Sequence, residues 1–200
     1  MKIYSVMIFN RNSVPMPTTL AVHYELGDFG IFQRGSVREF LRFVSREVTS
    51  RSAAGSRCSV LHKEHLCHCY VGPDNLAVAV ITDEEYPWRV AFALIKETLD
   101  QFLQLPAAAK WEENQKDVEI AFPKLASLVE MHLDPVEADK ILKIQKDLDD
   151  TKMVLLKSID ELLERGEKLE VLAERSSDLS FQSKIFVDKA ESLNSCCIIL

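Results

Sequence analysis

The chain ends in Cys196-Cys197-Ile198-Ile199-Leu200. A cysteine fourth from the end, followed by two aliphatic residues, is an acceptor for a thioether-linked prenyl chain; the terminal leucine favours geranylgeranyl, with farnesyl as the alternative. One such lipid holds a protein to a bilayer only marginally, and a second acyl chain or a basic patch is normally needed. Near the tail Lys184 and Lys189 are offset by Asp188 and Glu191, so no basic patch forms and Cys196 is the expected palmitoyl site. The expected lipid groups are covalent: prenyl on Cys197 and palmitoyl on Cys196, with no cofactor.

A second set of reactive side chains, His62, His65, Cys67, His68 and Cys69, has metal-ligand types. In a strand, however, alternate residues face opposite sides, so Cys67 and Cys69 share one face while His68 takes the other. Cys-x-Cys also lacks the two-residue spacer of common zinc knuckles. Strand packing, not metal, is the expectation.

The third feature is Arg165, a lone charge in a stripe that advances by threes and fours: Ile141, Ile144, Leu148, Thr151, Leu155, Ser158, Leu162, Arg165, Leu169, Leu172, Ser176, Leu179, Ser183, Phe186, Ala190 and Leu193. Eleven of the sixteen positions are apolar and four are Ser or Thr, which is a heptad seam in one register. A guanidinium there loses water when the seam is covered, and an uncompensated buried charge costs several kcal/mol. It either asks for planar acceptors from partner helices or serves only to fix register. As one straight helix the seam spans roughly 80 Å, more than a domain of this size needs. Gly166 is its weak point, costing about 1 kcal/mol against alanine.

Around these residues the composition bounds the possibilities. The 200 residues carry a net charge of −7, and residues 137–193 hold fourteen acidic and ten basic side chains, so no basic face for nucleic acid is present. No apolar run of about twenty residues exists to span a bilayer, and Met1 to Phe9 is too short and lacks the basic leader of a signal peptide, so a cytosolic location is expected. The five cysteines are then expected as thiols. No Gly-x-x-x-x-Gly-Lys-[Ser/Thr] loop is present, which removes a prenylated small GTPase from consideration.

Residues 1–133 read as a mixed domain. Met1 to Phe9 and Leu20 to Leu26 form an expected hairpin, and Ser36 with Glu39 reads as a capping box opening a helix with Val37, Phe40, Leu41, Val44 and Val48 on one face. Phe43 falls outside that face and is a candidate docking contact. Cys58 to Leu61, His65 to Val71 and Leu76 to Ile81 read as three strands, followed by a helix after Pro87, a loop from about Gln104 to Glu119 and a short helix at Pro123 to Leu133. Asp134-Pro135 opens a linker over 134–137 to the seam.

This order of elements resembles a longin domain followed by an R-SNARE motif. Leu162-Leu163-Glu164-Arg165-Gly166-Glu167-Lys168-Leu169 is similar to the centre of such a motif. Met1-Lys2-Ile3-Tyr4-Ser5, Phe32-Gln33-Arg34, Val37-Arg38-Glu39-Phe40, Leu66-Cys67-His68, Asp83 to Pro87 and Arg89-Val90-Ala91-Phe92 resemble the lipid-anchored synaptobrevin homologues of the YKT-six type. The resemblance covers essentially the whole chain. It implies an α+β fold: a profilin-like longin domain over 1–133, with a five-stranded antiparallel sheet and helices on both faces. A long heptad-repeat SNARE helix over 138–193 and a lipidation tail over 194–200 would follow.

It further implies a non-enzymatic role in membrane fusion on the ER, Golgi and endosomal routes, with Arg165 as the ionic layer facing three Q-SNARE helices and the other seam residues as apolar layers. Leu200 stands where the resemblance implies methionine, which leaves the prenyl identity open between geranylgeranyl and farnesyl. The competing class is a lipid-anchored longin regulator that sequesters SNAREs without driving fusion. Beside the seam, Leu142, Met153, Leu156, Ile159 and Leu163 widen the apolar stripe beyond what a four-helix bundle needs. They are expected to hold a closed monomer against the first domain, with Phe43 on that surface and Gly166 at a helix break.

Overall fold

The computed structural model describes residues 1–136, 138, 153–156, 158–164 and 166–184. Five strands build the first domain's sheet: β1 (Ile3–Asn10), β2 (Thr18–Tyr24), β3 (Ser56–His62), β4 (His65–Val71) and β5 (Leu76–Asp83). All their pairings are antiparallel, in the order β2-β1-β5-β4-β3. Alternation in β5 shows why the sheet has two cores. Leu76, Val78 and Val80 enter one apolar cluster, while Ala77, Ala79 and Ile81 enter the other.

The first cluster is closed by α2 (Trp88–Leu103) and α3 (Lys124–His132), and the second by α1 (Arg34–Arg51). Helices therefore cover both faces, as expected for the α+β class. The Tyr86 hydroxyl donates 2.6 Å to the carbonyl of His132, tying the entry of α2 to the end of α3. The long loop after α2 is less open than expected, with 3-10 turns at Pro106–Ala108 and Trp111–Glu113. The Asn10 amide holds it by donating to the carbonyls of Trp111, Glu112 and Asn114. Beyond it, the amides of Val118 and Ile120 donate to Thr19 and Leu20, covering the β2 edge that would otherwise stand unpaired.

Three expectations need correction. The capping box is absent: α1 starts at Arg34 with Gln33 as N-cap and no side-chain cap bond, because the helix has taken in Ser36. The sheet has six strands, since Met153–Leu156 forms β6, parallel to β3 with Cys58 opposite Val154 and Val60 opposite Leu156. Among the described residues the heptad segment is also not one continuous helix. It runs as β6, a 3-10 turn at Ile159–Glu161, a bend at Gly166 with φ of 94°, then α4 (Leu169–Arg175). Among the described seam residues Leu169 and Leu179 are buried on the domain and Leu162 and Leu172 are half-buried against it, so the segment follows the bent path that the domain's surface sets.

The cysteines and histidines of β3 and β4 follow strand alternation. Cys58, Cys67 and Cys69 enter the α1-side cluster, and burial pushes the Cys69 thiol up to about 12. His68 lies on the opposite face, fully buried, with Nδ1 2.8 Å from Ser59 Oγ and Nε2 3.3 Å from Thr82 Oγ1. Burial pushes its pKa down to about 4. An unfolded histidine binds a proton near pH 6.5, so between that value and about 4 the unfolded state holds more protons and stability falls as pH falls. Denaturant unfolding should lose about 2 kcal/mol from this group between pH 7.5 and 5. His68→Gln should flatten that slope; an unchanged slope would show that His68 does not contribute it.

Candidate functional site

The α1-side face of the sheet holds the longest-range contacts in the described chain. Ile159, Leu163, Leu169, Ala173 and Leu179 are buried in one cluster with Met7, Phe43, Val44, Val48 and the β5 residues Ala79 and Ile81. Leu156, Leu162 and Leu172 pack against it, half-buried. Full burial of a Leu or Ile side chain is worth about 1.5–3 kcal/mol, so Ile159, Leu163, Leu169 and Leu179 contribute on the order of 10 kcal/mol before ordering costs.

Phe43 is 2% exposed and belongs to this cluster. It shares that cluster with residues of the sheet and with Ile159, Leu163 and Leu169 of the segment. Of the flank residues, Leu156, Ile159 and Leu163 join the cluster, and Met153 opens β6. Leu142 lies outside the described residues.

The seam itself divides. Leu162, Leu169, Leu172 and Leu179 face the cluster, and Ser183 is buried with its hydroxyl 3.0 Å from Ser180 Oγ. Ser176 is half-buried and its hydroxyl accepts from the Asp178 amide. Ser158 caps the 3-10 turn by accepting from the Asp160 amide. Leu155 is 67% exposed, since in a strand it points away from the side that Leu156 buries. Ile141, Ile144, Leu148, Thr151, Arg165, Phe186, Ala190, Leu193, Cys196 and Cys197 lie outside the described residues.

Sequence reading missed the polar rim of this interface. The Arg46 side chain is 6% exposed and donates through Nη2 to both carboxylate oxygens of Asp117, at 2.7 and 2.8 Å, and to Thr19 Oγ1. Through Nη1 it pairs with Asp178 of the segment. Asp117 is held in turn by the Thr19 amide. Burial pushes its carboxyl up, but the bonds from Thr19 and Arg46 outweigh that and hold it below its ordinary value.

One turn along α1, Arg51 pairs with Glu47 and, at 3.2 Å, with Glu167. Near the start of α1, the Glu39 carboxylate accepts the Ser180 amide at 2.7 Å. Burial raises the Glu39 carboxyl, yet the Ser180 and Ser183 bonds bring it below its usual range. The available signal was Arg38, Arg42 and Arg46 at four-residue spacing on α1, a basic stripe that calls for acidic company.

The arrangement is a docking surface for an amphipathic segment. Among the described residues no cluster of His, Cys, Asp or Glu suits a metal ion, and no helix is long and apolar enough to cross a membrane. Comparison with known proteins places these parts. Residues 26–128 match the longin family model, described as a regulated-SNARE-like domain, and residues 140–199 match the synaptobrevin model. The chain is 43% identical to a protein named as a YKT6 synaptobrevin homologue in Dictyostelium discoideum, over 98% of both chains. It is 40% identical to the synaptobrevin homologue ykt6 of Schizosaccharomyces pombe over the full length of both. It is also 43% identical to the VAMP-like protein YKT61 of Arabidopsis thaliana over 92% of each. The two-part organisation and the full-length similarity together show that this chain belongs to the YKT6-type synaptobrevin homologues, longin-domain SNARE proteins of vesicle transport that are not enzymes.

Proposed function

We propose that the chain is an R-SNARE that drives membrane fusion, is held inactive by its own longin domain and is anchored by lipids at Cys197 and Cys196. The supporting observation is that Leu162, Leu169, Leu172 and Leu179, four of the proposed bundle layers, pack on the α1-side cluster. A side chain buried there is not available to three Q-SNARE helices, so the closed form and the bundle exclude each other. In the open form the seam zippers from Ile141 toward Leu193, with Arg165 as its ionic layer, drawing two cytosolic membrane faces together on the ER, Golgi and endosomal routes. A closed form that shelters the prenyl chain, whose exposure costs about 0.8 kcal/mol per methylene, sustains a soluble pool.

Reconstituted liposome fusion with candidate Q-SNAREs tests the reading. Arg165→Ala should slow fusion, and a wild-type chain that binds those Q-SNAREs but never fuses liposomes would favour a sequestering regulator instead. Closure has its own test. Phe43→Glu, or Ile159→Asp on the segment side, places an unpaired carboxylate in the cluster at a cost of several kcal/mol and should move the lipidated protein from the soluble to the membrane fraction. Unchanged partitioning of both variants would refute the docking role.

Gly166 supplies a quantitative case. A Cβ there meets nothing within 4 Å, but φ of 94° strains any L side chain. Gly166→Ala penalises the bend and favours the helix, together about 2 kcal/mol or roughly thirtyfold toward the open form. Q-SNARE binding should strengthen accordingly, and equal or weaker binding would contradict the account.

A further inference from the structure

We propose that Arg38, Arg42 and Arg46 form a cradle for a phosphate monoester on a lipid headgroup, and that Asp178 blocks it in the closed form. This rests on the closed reading above. The three arginines line a cavity of about 100 Å³ together with Glu39, Asp117 and Asp178. The Nε atoms of Arg42 and Arg46 are both buried without a hydrogen bond among the described residues, while the Arg42 guanidinium also interacts with the Tyr24 hydroxyl. The cradle thus holds donors that its own carboxylates leave unused.

Charge makes the site conditional. With Asp178 seated, three guanidinium groups face three carboxylates. Glu39 and Asp117 belong to the domain, whereas Asp178 arrives with the segment. When the segment leaves, three cations face two anions, and Arg46 Nη1 joins the unused donors. Like charges spaced four apart on a helix repel, so the vacated ladder favours a new anion. Guanidinium forks match the oxygens of phosphate, and the several donors freed here exceed what one carboxylate edge can accept.

A membrane source fits the surroundings. The ladder grades from exposed Arg38 to buried Arg46, and the exposed Ile31 and Phe32 precede α1 at its open end, an apolar pair suited to an acyl boundary. Headgroup binding and the closed form would then compete, so a membrane carrying the headgroup favours opening.

The test uses the unlipidated full-length chain, titrated with inorganic phosphate against sodium chloride at equal ionic strength, while the Arg Nε–Hε resonances are followed by NMR. In Asp178→Asn the Arg42 and Arg46 signals should shift saturably with phosphate, at an apparent affinity about tenfold tighter than wild type. Arg42→Gln in the same background should lose most of that binding. Vesicles of phosphatidylcholine with a phosphatidylinositol monophosphate should bind Asp178→Asn more tightly than vesicles of matched charge made with phosphatidylserine. No saturable shift, or an equal shift with acetate, overturns the phosphate cradle. Phosphate binding without preference for the phosphorylated lipid overturns the membrane source, and equal affinity in wild type overturns the competition. Hydrogen exchange of residues 154–156 separates the two readings: slow exchange in wild type without phosphate binding in Asp178→Asn sinks the cradle alone, and fast exchange sinks the closed form.

Discussion

Apolar side chains on the heptad segment can be removed from water only once at a time. Leu169 and Leu179 are buried on the sheet with Met7, Val44 and Val48, and the same side chains are the ones a four-helix bundle would take. Each burial is worth a few kcal/mol, and each arrangement also carries the entropy cost of ordering the segment. In the proposed bundle the same side chains would be buried again, so the two arrangements would differ by less than either is worth, and such a difference is what a partner or a membrane can tip.

The polar rim does a different job from the cluster. Hydrophobic contact is tolerant of sliding, whereas Arg46 between Asp117 and Asp178, Arg51 on Glu167 and Glu39 on the Ser180 amide each accept one placement of the segment. The domain prepares that rim in advance. Asn10 gathers the loop at 111–114, the loop presents Asp117 to Thr19, and Asp117 then aims Arg46. Arg46 is buried but its carboxylate partners Asp117 and Asp178 are partly exposed, so water screens these pairs and the rim fixes the placement of the segment more than it adds stability.

The domain was legible because its signals are local. Alternation in β4 and β5 and the helical spacing after Pro87 place the strands and α2 within a few residues of where they lie. Ser36 and Glu39 misled, because a capping pair reads the same whether a helix starts there or two residues earlier, and Glu39 has another partner in Ser180. Met153-Val154-Leu155-Leu156 could not be read as a strand, since its spacing satisfies the heptad and its pairing partner at 57–60 is distant in sequence. The wider apolar flank at Leu156, Ile159 and Leu163 was the readable trace of this packing, since these residues join the cluster beside the seam leucines.

The pairing of β6 with β3 is the contact that a continuous helix would abolish. Interstrand nuclear Overhauser effects in the unlipidated full-length chain report it directly. The account predicts backbone contacts between Val154 and Cys58 and between Leu156 and Val60, as in the parallel ladder. Sequential helical amide contacts running unbroken from 153 to 184, with none to β3, would contradict it.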